Sequence, residues 1–250
     1  MSFATFELRG QVGILSLNRP DRLNAISSDM LDDLHAAFDE AEVCGEATTL
    51  VLTGVGRAFC AGEDLKEFDD LAADSSRAQA HIASIQMVSR RIMTGNRIVV
   101  AAARGYAVGG GFEWAIGCDL PLWGAGARAF FPEVEWGLFV TGGATAILPA
   151  IVGPVKAKEM MLLGGKYTAQ ELLALGVAWR VVADDALLNE AHAVAAQIAA
   201  LPERSVRAMK SVLNKSTYAD VETALELETQ AAAAGSADPE TQARVRNFKT

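Results

Sequence analysis

Three consecutive glycines, Gly109, Gly110 and Gly111, stand a few residues after the apolar run Ile98–Ala103 and lead directly into Phe112 and Glu113. Glycine admits backbone conformations closed to other residues and lets another chain or a ligand come close to the main chain. A tight turn or close helix packing accounts for one or two glycines more readily than for three. If a helix begins here, its first N–H groups lack partners and point towards any negative charge. The segment therefore reads as a strand, a glycine turn and a helix start, built to bring main-chain donors to a site.

Neighbouring segments repeat the strand-then-helix order. Residues 3–9 and Val12–Leu17 alternate in polarity around Gly10 and Gln11, the pattern of a hairpin. Ser27 or Ser28 can cap a helix whose apolar positions Met30, Leu31, Leu34, Ala37, Phe38 and Ala41 recur at helical spacing. Residues 48–53 read as a buried strand, 81–94 as a helix, and 98–103 as another strand. Residues 119–123 also look like a strand, but Pro121 lacks an N–H and suggests an edge or irregular position. From Thr141 onward the pattern is mostly helical, with breaks at Gly153-Pro154, at Gly164-Gly165 and at the apolar run 178–182. The fold class is α/β, with no internal repeat and no low-complexity tract.

The 250 residues suffice for one sizeable core. A net charge of -9 is the wrong sign for a phosphate backbone, so nucleic acid is not expected as a partner. No basic start leads into a long apolar run and no apolar stretch reaches spanning length, so no membrane association and a cytoplasmic location are expected. Cys44, Cys60 and Cys118 are odd in number, with no CxxC, and read as buried free thiols rather than metal ligands. His35, His81 and His192 each lie within a helical pattern, where packing or surface roles are usual.

A second glycine loop, Gly54-Val55-Gly56-Arg57-Ala58-Phe59, follows the strand at 48–53. It fails as a dinucleotide fingerprint: Phe59 stands at the third glycine and no helix pattern follows at once. It leads instead to Cys60-Ala61-Gly62-Glu63-Asp64-Leu65, where Gly62 again leaves amides open. Two amide-bearing loops, each after an apolar strand, suggest a two-donor oxyanion hole.

Four segments in order, Asn18-Arg19-Pro20-Asp21-Arg22-Leu23-Asn24-Ala25, Phe59-Cys60-Ala61-Gly62-Glu63-Asp64, Gly105-Tyr106-Ala107-Val108-Gly109-Gly110-Gly111 and Phe131-Pro132-Glu133, resemble the crotonase (enoyl-CoA hydratase/isomerase) superfamily. The resemblance continues to Asn247-Phe248-Lys249. It implies a ββα spiral core that binds a coenzyme A thioester, over residues 1–195, and a helical C-terminal region, 196–250, that mediates assembly as a homotrimer or dimer of trimers. It assigns the oxyanion hole to the amides of Glu63 and Gly110. Glu63 stands where the family often has a small or apolar residue, but only its N–H is needed. The resemblance also implies substrate contacts from Arg22, Leu23, Ala25, Ala61, Asp64, Leu65, Trp136, Phe139 and Lys249, and no metal or redox cofactor beyond the coenzyme A of the substrate.

The family's hydratases carry one glutamate just after the triple glycine and one in a Pro-Glu pair, matching Glu113 and Glu133. Two carboxyls around one water suit hydration: one accepts a proton from water and the other supplies a proton to carbon. Related dienoyl-CoA isomerases and aryl-CoA dehalogenases place an aspartate four residues past the glycine of the next loop; here that position is Thr141, which cannot serve. The expected reaction is therefore that of a lyase adding water to, or removing it from, a 2-enoyl-CoA. A CoA-dependent double-bond isomerase, or a noncatalytic CoA-binding or assembly member, is the alternative. Phe130, Phe131, Trp136 and Phe139 could line an aromatic-accepting pocket, although large aromatics are more often core.

Overall fold

β1 (Ala4–Arg9) and β2 (Val12–Leu17) pair antiparallel across a turn at Gly10, whose φ of +62° suits glycine. This is the expected hairpin. The structure, a computed structural model, describes residues 2–217 and 221–248. A 3₁₀ turn at Pro20–Arg22 leads to α1 (Ser28–Cys44), capped by Ser27, whose hydroxyl accepts the Met30 N–H. β3 (Thr49–Gly54), α2 (Phe68–Ala72) and α3 (Ser75–Met93) follow. α3 starts six residues before the helix read from the sequence at 81, because Asp74 caps it by accepting from Ser76 and Arg77 amides.

β4 (Ile98–Ala103), β5 (Tyr106–Val108) and α4 (Gly110–Gly117) form the next unit, and β6 (Leu120–Gly124), β7 (Arg128–Phe130) and α5 (Glu133–Trp136) another. α6 (Ala144–Leu163) breaks at Gly153 before Pro154, as the sequence suggested. β8 (Tyr167–Thr168), α7 (Ala169–Ala174), β9 (Arg180–Val182) and α8 (Leu187–Ala199) precede three helices, α9 (Glu203–Thr217), α10 (Val221–Ala237) and α11 (Pro239–Phe248). The division expected after residue 195 falls inside α8.

The large sheet has the order β1-β2-β3-β4-β6-β9, parallel except for β1, and a small sheet has the order β5-β7-β8. Consecutive units give one strand to each sheet, then a helix. Isolated bridges from Ile26 to Glu63 and from Cys60 to Ala107 continue the small sheet's row through the earlier units. The result is a spiral of ββα turns whose second row runs through Ile26, the 60–63 segment, β5 and β7.

The large sheet is buried on both faces, which explains its nearly continuous apolar strands. Leu15, Leu17, Leu52, Ala101 and Trp123 face a core shared with α1, α3 and α4, while Ile14, Val51, Val100 and Leu122 face Leu187, Ala191 and Ala195 of α8. Pro121 corrects the expectation of an edge: β6 lies between β4 and β9. The Pro121 carbonyl accepts the Trp179 N–H at 2.9 Å, on the side where β9 pairing starts only at Leu122, so no ladder donor is missed. Cys60 and Cys118 are buried free thiols, and Cys44 is only half-buried. Among the described residues no helix is long and apolar enough to cross a membrane.

Candidate active site

The second row of the spiral opens on a cleft of about 570 Å³ whose walls include Ala25, Ala61, Glu63, Asp64, Leu65, Gly110, Glu113, Glu133, Trp136 and Phe139. Ten of the residues singled out from the sequence thus meet in one place. Arg22 and Leu23 lie outside the lining, on the turn that precedes Ala25. Lys249 lies outside the described residues.

The turn is held by Asn24. Its side-chain amide donates to the carbonyls of Val55, Ala58 and Phe59, and its Oδ1 accepts the Arg19 N–H at 2.8 Å. Leu23 and Asn24 both adopt positive φ, 52° and 56°, a conformation that asparagine tolerates better than leucine. The Leu23 carbonyl then accepts the Ala61 N–H, the Ile26 N–H reaches Gly62 O, and the Asp64 N–H reaches Ile26 O. Arg19 donates to Asp64 Oδ2 at 2.5 Å and to Ala25 O at 3.2 Å. Burial works to raise the Asp64 carboxyl, but the Arg19 guanidinium and the Lys66 amide hold it below its ordinary value. The two loops expected to carry coenzyme A are in this way zipped together.

Those same bonds leave donors free. Ile26 engages the Gly62 carbonyl and the Asp64 N–H, so the Glu63 N–H between them turns away from Ile26 and has no backbone acceptor among the described residues. Gly110 is the first residue of α4, so its N–H has no carbonyl one turn back. Both residues border the cleft. The three glycines divide the work. Gly109 has φ of +50°, and a Cβ there would collide with the Glu133 carboxyl; a Cβ on Gly111 would lie 2.6 Å from the Cys60 Cβ. Gly110 presents its amide.

Glu113 follows on the first turn of α4 and is buried, 1% exposed. Its Oε1 accepts the Thr141 N–H at 3.1 Å and its Oε2 the Gly142 N–H at 2.6 Å. Burial pushes this carboxyl well above the ordinary range, helped by the charges of Glu228 and Glu133 and opposed by the two amides. Glu133 begins α5. The residue as a whole is only partly buried, but Oε2 is sealed from solvent and has no hydrogen-bond partner among the described residues. Burial pushes Glu133 up to about 8, and the charge of Glu63 adds to the effect. Two carboxyls with a strong hold on protons therefore share a cleft with two free amides.

Three participants were not found from the sequence. Thr141, dismissed as a carboxylate, contributes its amide to Glu113. Glu228 of α10 is fully buried and accepts from Gly143 N at 2.7 Å and from Thr145 N and Oγ1 at 3.0 and 2.6 Å. Burial raises its carboxyl against those three donors. Glu113 and Glu228 thus divide the amides around the start of α6. His81 of α3 lies 3.3 Å from a Glu63 carboxylate oxygen. Of the four aromatics weighed as pocket walls, Trp136 and Phe139 border the cleft. Phe131 packs in the core against Phe112, 4.7 Å between ring centres, and Phe130 lies under Lys166.

A family model described as enoyl-CoA hydratase/isomerase matches residues 7–249. The chain is 32% identical over 226 residues to the short-chain-enoyl-CoA hydratase of Clostridium acetobutylicum, covering 90% of this chain and 86% of that protein. It is 35% identical over 221 residues to a putative enoyl-CoA hydratase/isomerase of Bacillus subtilis, covering 88% and 84%. The crystal structure of an enoyl-CoA hydratase/isomerase from Mycobacterium paratuberculosis superposes with a TM-score of 0.92 at 29% identity, over 99% of this chain and 98% of that one.

Proposed function

The chain belongs to the enoyl-CoA hydratase/isomerase family, and on that premise we propose that it adds water to a 2-enoyl-CoA thioester, or removes it in the reverse direction. The observation that carries this reading is the meeting of two buried carboxyls, Glu113 and Glu133, with the unpaired amides of Glu63 and Gly110 around one cleft.

The thioester oxygen accepts hydrogen bonds from the Glu63 and Gly110 amides, the second at the positive end of α4. Water attacks carbon 3 as Glu113 accepts its proton, and the electron pair of the double bond moves onto the thioester, giving an enolate whose oxygen the amides stabilise. Glu133 then gives its proton to carbon 2. The adduct is a 3-hydroxyacyl-CoA; exchange with solvent returns the proton from Glu113 and restores that of Glu133. Burial raises both carboxyls; the two amides on Glu113 partly offset that rise, whereas the sealed Oε2 of Glu133 has no such donor among the described residues, which supports Glu113 as the base and Glu133 as the acid. The chemistry requires no cofactor beyond the coenzyme A of the substrate.

Exposed Met209, Val212 and Leu213 on α9 support assigning the segment 196–250 to assembly as a homotrimer or dimer of trimers. The free thiols support a reducing, cytoplasmic setting. The test of the reaction is mass spectrometry of several 2-enoyl-CoA thioesters after incubation with the protein, with a Glu113→Gln, Glu133→Gln double variant as the blank. Hydration adds one water; isomerisation leaves the mass unchanged.

A further inference from the structure

The side chain of Glu63 has no part in the reaction above, which uses only its amide, yet it borders the cleft. Its carboxylate is 38% exposed, and its charge reaches Glu133, so it belongs to the Glu133 side. Behind it, the His81 side chain is 5% exposed. His81 Nε2 lies 3.3 Å from Glu63 Oε1, but off the line of a hydrogen bond, and has no aligned partner among the described residues. His81 Nδ1 lies 3.4 Å from Ser28 Oγ, and both the hydroxyl and the amide of Ser28 donate to Glu67 Oε2 at 3.0 Å. A row Glu63, His81, Ser28 and Glu67 thus joins the cleft loop, α3 and the start of α1. Ile85, one turn along α3 from His81, also lines the cleft.

An acyl group filling this cleft strips water from the Glu63 carboxylate. A hydrocarbon chain returns nothing for the lost hydration, and the misaligned His81 nitrogen replaces it poorly. An acyl group carrying its own donor restores the bond. We propose that the Glu63 carboxylate, backed by His81, sets the acyl specificity of the cleft by accepting a hydrogen bond from an O–H or N–H donor on the acyl group. This rests on the cleft being the thioester site described above. Sites that hydrogen-bond a substrate hydroxyl discriminate against the analogue lacking it, because the site's polar group is then left unpaired.

The test separates binding from turnover. Saturated, unreactive acyl-CoA thioesters of increasing chain length, each with and without a hydroxyl at the chain end, are titrated calorimetrically into the full chain and its Glu63→Ala and Glu63→Gln variants. The expected result is a length at which the hydroxylated member binds about ten-fold more tightly, with the ratio falling to about one or below in Glu63→Ala. Taking the ratio within each protein cancels any loss common to both ligands. If the ratio stays near one at every length, or survives in folded Glu63→Ala, the specificity proposal is overturned. Failure of the hydration assay with preserved discrimination overturns the reaction and leaves this proposal standing.

Discussion

Replacing Glu133 by Gln should make the protein more stable at alkaline pH. The sealed carboxyl ionises near 8 in the folded chain, against an ordinary value of 4.5. Between those values the unfolded chain has released its proton and the folded chain has not, so rising pH favours unfolding until the folded carboxyl itself ionises. Its stabilising contribution is full below 4.5 and lost as pH rises through about 8. At 1.36 kcal/mol per unit, the wild type should lose roughly 3 kcal/mol relative to the variant between pH 5 and pH 8. Urea unfolding of both proteins, at one protomer concentration and several pH values, reads this difference directly. Parallel stability curves across that range would refute the claim that Glu133 is held protonated by burial.

The same carboxyl governs rate: kcat/KM should fall above about pH 8 as Glu133 loses the proton it must donate, and Glu63→Gln, by removing a charge that raises Glu133, should move that fall to lower pH. Glu113→Gln should reduce kcat by about 10² to 10⁴, read by steady-state kinetics. Glu228→Ala should cost about 2 to 4 kcal/mol in denaturant unfolding by stranding the Gly143 and Thr145 donors, and should lower kcat by loosening the loop that clamps Glu113. Gly109→Ala should lose most activity while still binding coenzyme A, because its Cβ would displace the Glu133 carboxyl; unchanged kcat would count against this geometry.

The repeating strand and helix order was legible because the inner strands β2, β3 and β4 are buried on both faces and read as apolar runs. The hairpin's β2, the Ser27 cap and the Gly153 break fall where the residues alone put them. Asp74 hid the true start of α3, since a capping aspartate after a charged stretch resembles loop. Pro121 misled because the side on which its missing N–H falls depends on where β9 begins, which no local pattern encodes. Glu113 and Glu133 were found through resemblance, as a lone glutamate after a turn is usually solvated. Glu228 was invisible for a different reason: it lies 85 residues from the Gly143 amide it accepts, and only packing of α10 joins them. For Glu63 the resemblance assigned a role to the N–H alone, because only the packing of α3 sets His81 behind its side chain.

The most direct test of the central claim is hydration of a 2-enoyl-CoA in deuterated water, with the product analysed by mass spectrometry and proton NMR. If the two carboxyls and two amides act as described, the wild type yields a 3-hydroxyacyl-CoA bearing one deuterium on carbon 2, and the Glu113→Gln, Glu133→Gln variant yields none. Deuterium incorporation without a hydroxyl on carbon 3, or no change of mass with any 2-enoyl thioester that the protein binds, would contradict it.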